Sequence, residues 1–156
     1  MPTVYVETTI PSYLAALPSR DLVTAANQQI THDWWLTARQ RFELVVSDSV
    51  LLEISAGDVV MARKRMELVA GLRVLTSDEN VRKLFTLYQQ RLSMPRRAEN
   101  DLLHLASAVR YSVDYLVTWN CAHIANGQVI KRLIAVNKAE VLPTPLIVTP
   151  QELQFC

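Results

Sequence analysis

Short apolar runs alternate with longer stretches of helix formers along the chain. Thr3-Val4-Tyr5-Val6, Leu44-Val45-Val46, Val74-Leu75 and Tyr115-Leu116-Val117-Thr118 predict four strands. Val4–Val6, Leu44–Val46 and Leu116-Val117 lack a polar alternation, the pattern of strands covered on both faces. Leu146-Ile147-Val148, between Pro145 and Pro150, offers a fifth. Between these runs the sequence predicts helices. Thr9 as N-cap, with Pro11 in the first turn, opens one. Residues 21–41 carry helix formers without glycine or proline. Ser47 caps a helix through Leu51, Leu52 and Ile54. Residues 59–70 form a helix whose basic side, Arg63-Lys64-Arg65, reads as a solvated face. Ser77 or Asp78 caps a helix to about Leu92, and residues 93–97 form a loop around Pro95. Residues 98–111 make a strongly apolar helix, and residues 127–138 another, with Val129, Leu133 and Val136 on one side. Strands alternating with helices predict an α/β fold: three layers, α/β/α, around a mainly parallel sheet of four to five strands.

Composition narrows this further. The 156 residues carry no Pro/Gly/Ser-rich linker and no repeat, so a single domain over residues 1–156 is expected. Half of the residues are hydrophobic, which argues against disorder. Sixteen basic against fifteen acidic residues leave +1, so an anionic partner must be held by a local patch and not by a global field. Three glycines, Gly57, Gly71 and Gly127, are too few and too scattered for a P-loop or a dinucleotide fingerprint. Two cysteines, Cys121 and Cys156, make neither a disulfide framework nor a structural zinc site. No apolar run reaches the length of a membrane span, and no signal-peptide pattern is present. A reduced, cytoplasmic protein is the expectation.

Four polar residues do not fit this apolar plan. In open α/β sheets, sites form outside the carboxyl ends of the strands. Glu7 follows the first strand and Asn120 the fourth. Glu53 lies in Val50-Leu51-Leu52-Glu53-Ile54, and Asp101 opens Asp101-Leu102-Leu103-His104-Leu105-Ala106. Each has an ordinary reading: turn residue, solvated side, helix N-terminal acid. Together, in a parallel sheet, three carboxylates converge at one end. Two unit charges about 4 Å apart interact by roughly 4 kcal/mol at an effective dielectric of 20. Such a cluster must take up protons or hold a cation, and oxygen-only ligands select Mg²⁺ or Mn²⁺. An ion of that kind suits phosphoryl chemistry.

These residues resemble the PIN-domain family, in particular the VapC-like toxin ribonucleases of type II toxin–antitoxin systems. The resemblance lies in four stretches: Val4-Tyr5-Val6-Glu7-Thr8-Thr9; Ser47 six residues before Glu53; Asn100-Asp101 opening the helix through Ala106-Ser107-Ala108; and Leu116-Val117-Thr118-Trp119-Asn120. The tail from Ile130 to Leu153 is similar as well, so the likeness spans nearly the whole chain. Two positions depart from the family pattern. Glu7 stands where Asp is common, and Asn120 where a fourth acid is common. A neutral amide can lend a carbonyl oxygen to an ion but no charge.

The resemblance implies a PIN-like domain that hydrolyses RNA phosphodiester bonds with Mg²⁺ or Mn²⁺. The ion would sit between Glu7, Asp101 and Asn120, with Glu53 binding directly or through water. His104 and Thr118 would steady the ligand carboxylates. Arg96, Arg97, Thr8 and His123 would meet the RNA backbone. Trp119 could stack on a base, whereas Trp34-Trp35 reads as core or oligomer packing. A homodimer, a cognate antitoxin protein and no membrane partner are implied too. Asn120 leaves one alternative open: a catalytically decayed, PIN-like binding or scaffold protein.

Overall fold

Five parallel strands lie side by side in the computed structural model, which describes residues 1–154. They are β1 (Thr3–Val6), β2 (Glu43–Ser47), β3 (Arg73–Leu75), β4 (Tyr115–Val117) and β5 (Leu146–Val148), ordered β3-β2-β1-β4-β5. Among the described residues there are seven α-helices: α1 (Thr9–Ala15), α2 (Leu22–Arg41), α3 (Asp48–Ile54), α4 (Val59–Val69), α5 (Glu79–Arg91), α6 (Glu99–Arg110) and α7 (Gly127–Ala139). None is long and apolar enough to cross a membrane. Phe155 and Cys156 lie outside the described residues.

The expected α/β class and parallel sheet are therefore present. Val4, Tyr5 and Val6 are all fully buried, as are Val45, Val46, Leu116 and Val117, so the central strands are covered on both faces. Most helix starts follow from the side chains that cap them. Asp21, Ser47, Asp58, Asp78 and Asn126 each accept a bond from a first-turn amide. Asp78, not Ser77, caps α5, because Ser77 instead donates to Asp48 across from α3.

Three local expectations need correction. Thr9 is the first residue of α1, not its N-cap; Thr8 holds that place without a side-chain bond, since both hydroxyls are engaged elsewhere. The 93–97 loop closes into a 3-10 turn, Arg96–Ala98, that leads into α6. Arg65 is not merely solvated: it donates to Ile54 O and Ala56 O at the end of α3, satisfying carbonyls that the helix leaves open.

The strand order matters for function. From β1 the chain builds outward to β2 and β3, then returns to lay β4 on the other side of β1. The β1–β4 boundary is the topological switch point, where diverging connections open a crevice beyond the strand ends. Glu7 follows β1 there, and Asn120 lies three residues past the end of β4.

Candidate functional site at the β1–β4 switch point

Glu7 is almost fully buried, 3% exposed. One of its oxygens, Oε1, accepts from the Thr9 amide at 3.1 Å, from the Thr9 hydroxyl, and from the Thr118 hydroxyl at 2.6 Å. Its other oxygen receives no bond among the described residues. The Thr-rich corners after β1 and β4 exist to feed this carboxylate. Thr118 Oγ1 also accepts from the Asn120 amide, and Thr9 Oγ1 from the Trp119 amide, so the two corners are stitched together through Glu7.

Glu53 is brought in by α3. Its neighbours Val50 and Ile54 are buried, which turns Glu53 toward α6 at the rim of the core. Its Oε1 accepts from Thr8 Oγ1 at 2.8 Å and is bonded to His104 Nε2. His104 is fully buried, and its Nδ1 lies 2.7 Å from the Tyr5 hydroxyl, which in turn lies 2.6 Å from Ser47 Oγ. Ser47 Oγ accepts from the Val50 amide while capping α3. A continuous path thus runs Ser47–Tyr5–His104–Glu53–Thr8 across β2, β1, α6 and α3, buried from Ser47 to His104 and half-buried at Glu53 and Thr8.

Electrostatics follow from that path. Burial alone would pull the His104 imidazole down. The bond to Glu53 and the charges of Glu7, Glu53 and Asp101 outweigh it, and its pKa is raised. Conversely, burial lifts Glu53, but the bond and charge of His104, with the Thr8 hydroxyl, leave it lowered. All three acids thus favour the charged form of His104, Glu53 by a direct bond and the other two by charge.

Asp101 is held differently. It projects from the first turn of α6 and is half-buried. Asn120 Nδ2 donates to its Oδ1 at 2.9 Å, and His123 Nδ1 lies 3.1 Å from its Oδ2. Burial raises its pKa, and Glu53 adds to this. The Asn120 bond and the charges of His104 and His123 offset the rise only in part.

The sequence-predicted residues therefore fall into two groups. Glu7, Glu53, Asp101, Asn120, His104, Thr118, Thr8 and His123 come together at the switch point. Arg96 and Arg97 stand apart on the exposed 3-10 turn before α6, with no side-chain bond or ion pair among the described residues. Thr8 faces Glu53 and His123 faces Asp101, so in this state both serve carboxylates. Asn120 departs from its expected part as a carbonyl donor. Its amide nitrogen faces Asp101, and its oxygen accepts from the His123 amide at 3.0 Å. Rotating the amide would set oxygen against carboxylate and N–H against N–H, so this orientation is fixed by the network. Tyr5, which the sequence motifs do not single out, also belongs to the site. A tyrosine in the middle of an apolar strand was the available signal.

Whether these groups suit a divalent ion can be judged from their free atoms. The donors are hard carboxylate oxygens, and Glu7 and Glu53 each keep one oxygen without a hydrogen bond. The ligand set is not closed, however. Among the described residues no three His, Cys, Asp or Glu side chains are grouped to hold an ion. The chemistry fits Mg²⁺ or Mn²⁺, and each Asp101 oxygen, with one partner, keeps acceptor capacity.

Comparison with known proteins adds the fold. No family model and no curated protein matches the chain. The all-parallel five-strand sheet, flanked by helices, is a PIN-like α/β fold. Among solved structures the chain is similar to VapBC2 from Rickettsia felis, crystallised bound to a DNA fragment from their promoter. The TM-score is 0.54 at 15% identity, over 94% of this chain and 98% of that one. At that identity the likeness concerns the fold.

Proposed function

We propose that this chain is a metal-dependent endoribonuclease, the toxin of a toxin–antitoxin pair. One observation carries the reading: acids from three separate elements lie at the switch point of a PIN-like sheet, with Glu53 bonded to the buried His104 and Glu7 and Asp101 near enough for their charges to act on it. A structural role alone gives no reason to gather Glu7, Glu53 and Asp101 where their mutual repulsion is costly.

In this reading Glu7, Glu53 and Asp101 hold Mg²⁺ or Mn²⁺, which supplies Lewis acidity for phosphodiester hydrolysis. The chain's own groups prepare the pocket. Thr9 and Thr118 fix one oxygen of Glu7 so that the other faces the ligand. His104 and Thr8 do the same for Glu53. His104 also offsets part of the negative charge, which lowers the barrier to an approaching phosphate. Asn120 steadies Asp101 until a ligand replaces it. Arg96 and Arg97, exposed ahead of α6, attract the backbone of the RNA. Beside Glu53, a cleft of about 370 Å³ between α3 and α6, edged by the exposed Leu52, is where an antitoxin segment would lie. Homodimerisation belongs to the same proposal and rests on the family resemblance.

The test is cleavage of total RNA by purified protein with Mg²⁺ or Mn²⁺, beside EDTA and Asp101→Asn controls. Cutting that requires the ion and Asp101 supports the reading; equal cutting by the variant overturns it. A second reading, a PIN-like binding protein with a decayed site, is favoured by the bonded state of Asn120 and Asp101 and the unclosed ligand set. Thermal shift separates the two. An ion at 100 times its dissociation constant stabilises by about 2.7 kcal/mol, and no Mn²⁺ shift would leave the binding protein.

A further inference from the structure

Beside the turns that carry Glu7 and Asn120 two aromatic rings lie nearly parallel. Tyr13 of α1 stacks on Trp119, with 6.1 Å between centroids and 12° between planes. Trp119 is anchored from below. Its backbone amide donates to Thr9 Oγ1 and its indole Nε1–H to Thr31 Oγ1 at 2.7 Å, and the ring packs against the core. Tyr13 is not among the side chains packed on that core, and it is half-buried. Its hydroxyl makes no hydrogen bond among the described residues. Burial raises the pKa of the phenol, and the nearness of Cys121 and Glu7 adds to the rise. Trp119 is one residue before Asn120, the partner of Asp101. An aromatic ring with an idle hydroxyl is thus held at the pocket's edge, through Thr9, by the same network that fixes Glu7.

We infer that Tyr13, backed by Trp119, is a stacking platform for the base of a nucleotide flanking the phosphate at the acid pocket. Stacking on an aromatic ring requires a base freed from its duplex neighbours, so the substrate is single-stranded RNA. Three features favour a base over a protein side chain. The platform adjoins the acids, its lower ring is immobilised, and its free hydroxyl can reach a base edge or ribose. The inference rests on the ribonuclease reading and names the substrate state that this site accepts.

The experiment measures binding of short single-stranded RNA by fluorescence anisotropy with Mn²⁺, in an Asp101→Asn background to prevent cutting. An abasic site is walked along the oligonucleotide. Tyr13→Ala should weaken binding of the intact strand by roughly 5- to 150-fold, the range that one stacked base is worth. Tyr13→Phe should stay within about twofold of the parent, and Tyr13→Leu, which keeps apolar bulk, should lose as Tyr13→Ala does. At one position the abasic site should weaken the parent but not Tyr13→Ala. Unchanged binding by both Tyr13→Ala and Tyr13→Leu, or equal losses at every abasic position, overturns the platform alone. Failure of the parent and of the unsubstituted chain to bind any RNA overturns the ribonuclease reading with it.

Discussion

The two sides of the acid pocket are built on different principles. On the β1–α3 side, Glu7 and Glu53 each have one oxygen bonded by threonine hydroxyls, and Glu53 is further tied to a fully buried histidine–tyrosine–serine path. On the α6 side, Asp101 leans on two half-buried partners, Asn120 and His123. Burial costs are met on the first side, where Glu53 stays lowered, and are not met on the second, where Asp101 is raised. The first side is a scaffold. The second is the side kept energetically unsatisfied, and so the side with most to gain from a ligand.

The largest expected effect breaks the second side. Asp101→Asn should reduce RNA cleavage by at least about 100-fold, the size that a ligand's supporting partners alone are worth. It should also stabilise the ion-free protein. A carboxylate whose folded pKa is raised binds its proton more tightly folded than unfolded, so stability falls as pH rises through that window and stays lower above it. The amide variant carries no such penalty. Thermal melts with EDTA should place Asp101→Asn above wild type at pH 7, with the gap closing toward pH 3. A variant that is both inactive and less stable at pH 7 would mean that Asp101 is structural.

Breaking the scaffold side should act on stability instead. His104→Leu removes the buried partner of Glu53. The cost should be about 2–3 kcal/mol in urea unfolding, below the roughly 3–5 kcal/mol of a fully buried pair because Glu53 reaches solvent. The pH dependence has a definite sign. The His104 pKa is raised on folding, so its stabilisation is complete below about 6.5 and disappears as pH climbs through the folded value. The loss in His104→Leu should therefore be larger at pH 6 than at pH 9. Tyr5→Phe is gentler. It strands His104 Nδ1 and Ser47 Oγ without the hydroxyl between them, for about 1–3 kcal/mol. An effect within 0.5 kcal/mol would show that the path is not continuous.

Much of this was legible in the residues. Uninterrupted apolar runs marked buried parallel strands, and acids placed after strands or inside apolar helices marked the switch-point cluster. What stayed hidden were partnerships between distant positions. Nothing near Tyr5 in sequence announces that its hydroxyl lies against α6, 99 residues away. Thr8 and Thr9 each have a capping role that local rules favour, yet tertiary contacts send their hydroxyls to Glu53 and Glu7. The family resemblance implies Asn120 as an ion ligand. The competing acceptor and donor, Asp101 and the His123 amide, come into place only when the loop after β4 folds back onto α6.

The smallest and sharpest test converts one side toward the other. Asn120→Asp keeps an oxygen for the His123 amide, so the turn after β4 should survive. It replaces the donor facing Asp101 with a second carboxylate oxygen. Without an ion the like charges repel, and Asp101 loses the bond that held its pKa down. The ion-free variant should melt below wild type at pH 7. With Mn²⁺ the order should reverse, because four acids now compete to hold the ion. Affinity should tighten on the order of tenfold, the low end for changes in a ligand's surroundings. Titration calorimetry with Mn²⁺ reads this directly. Unchanged affinity would mean that Asn120 never faces the ion and that its role ends at Asp101.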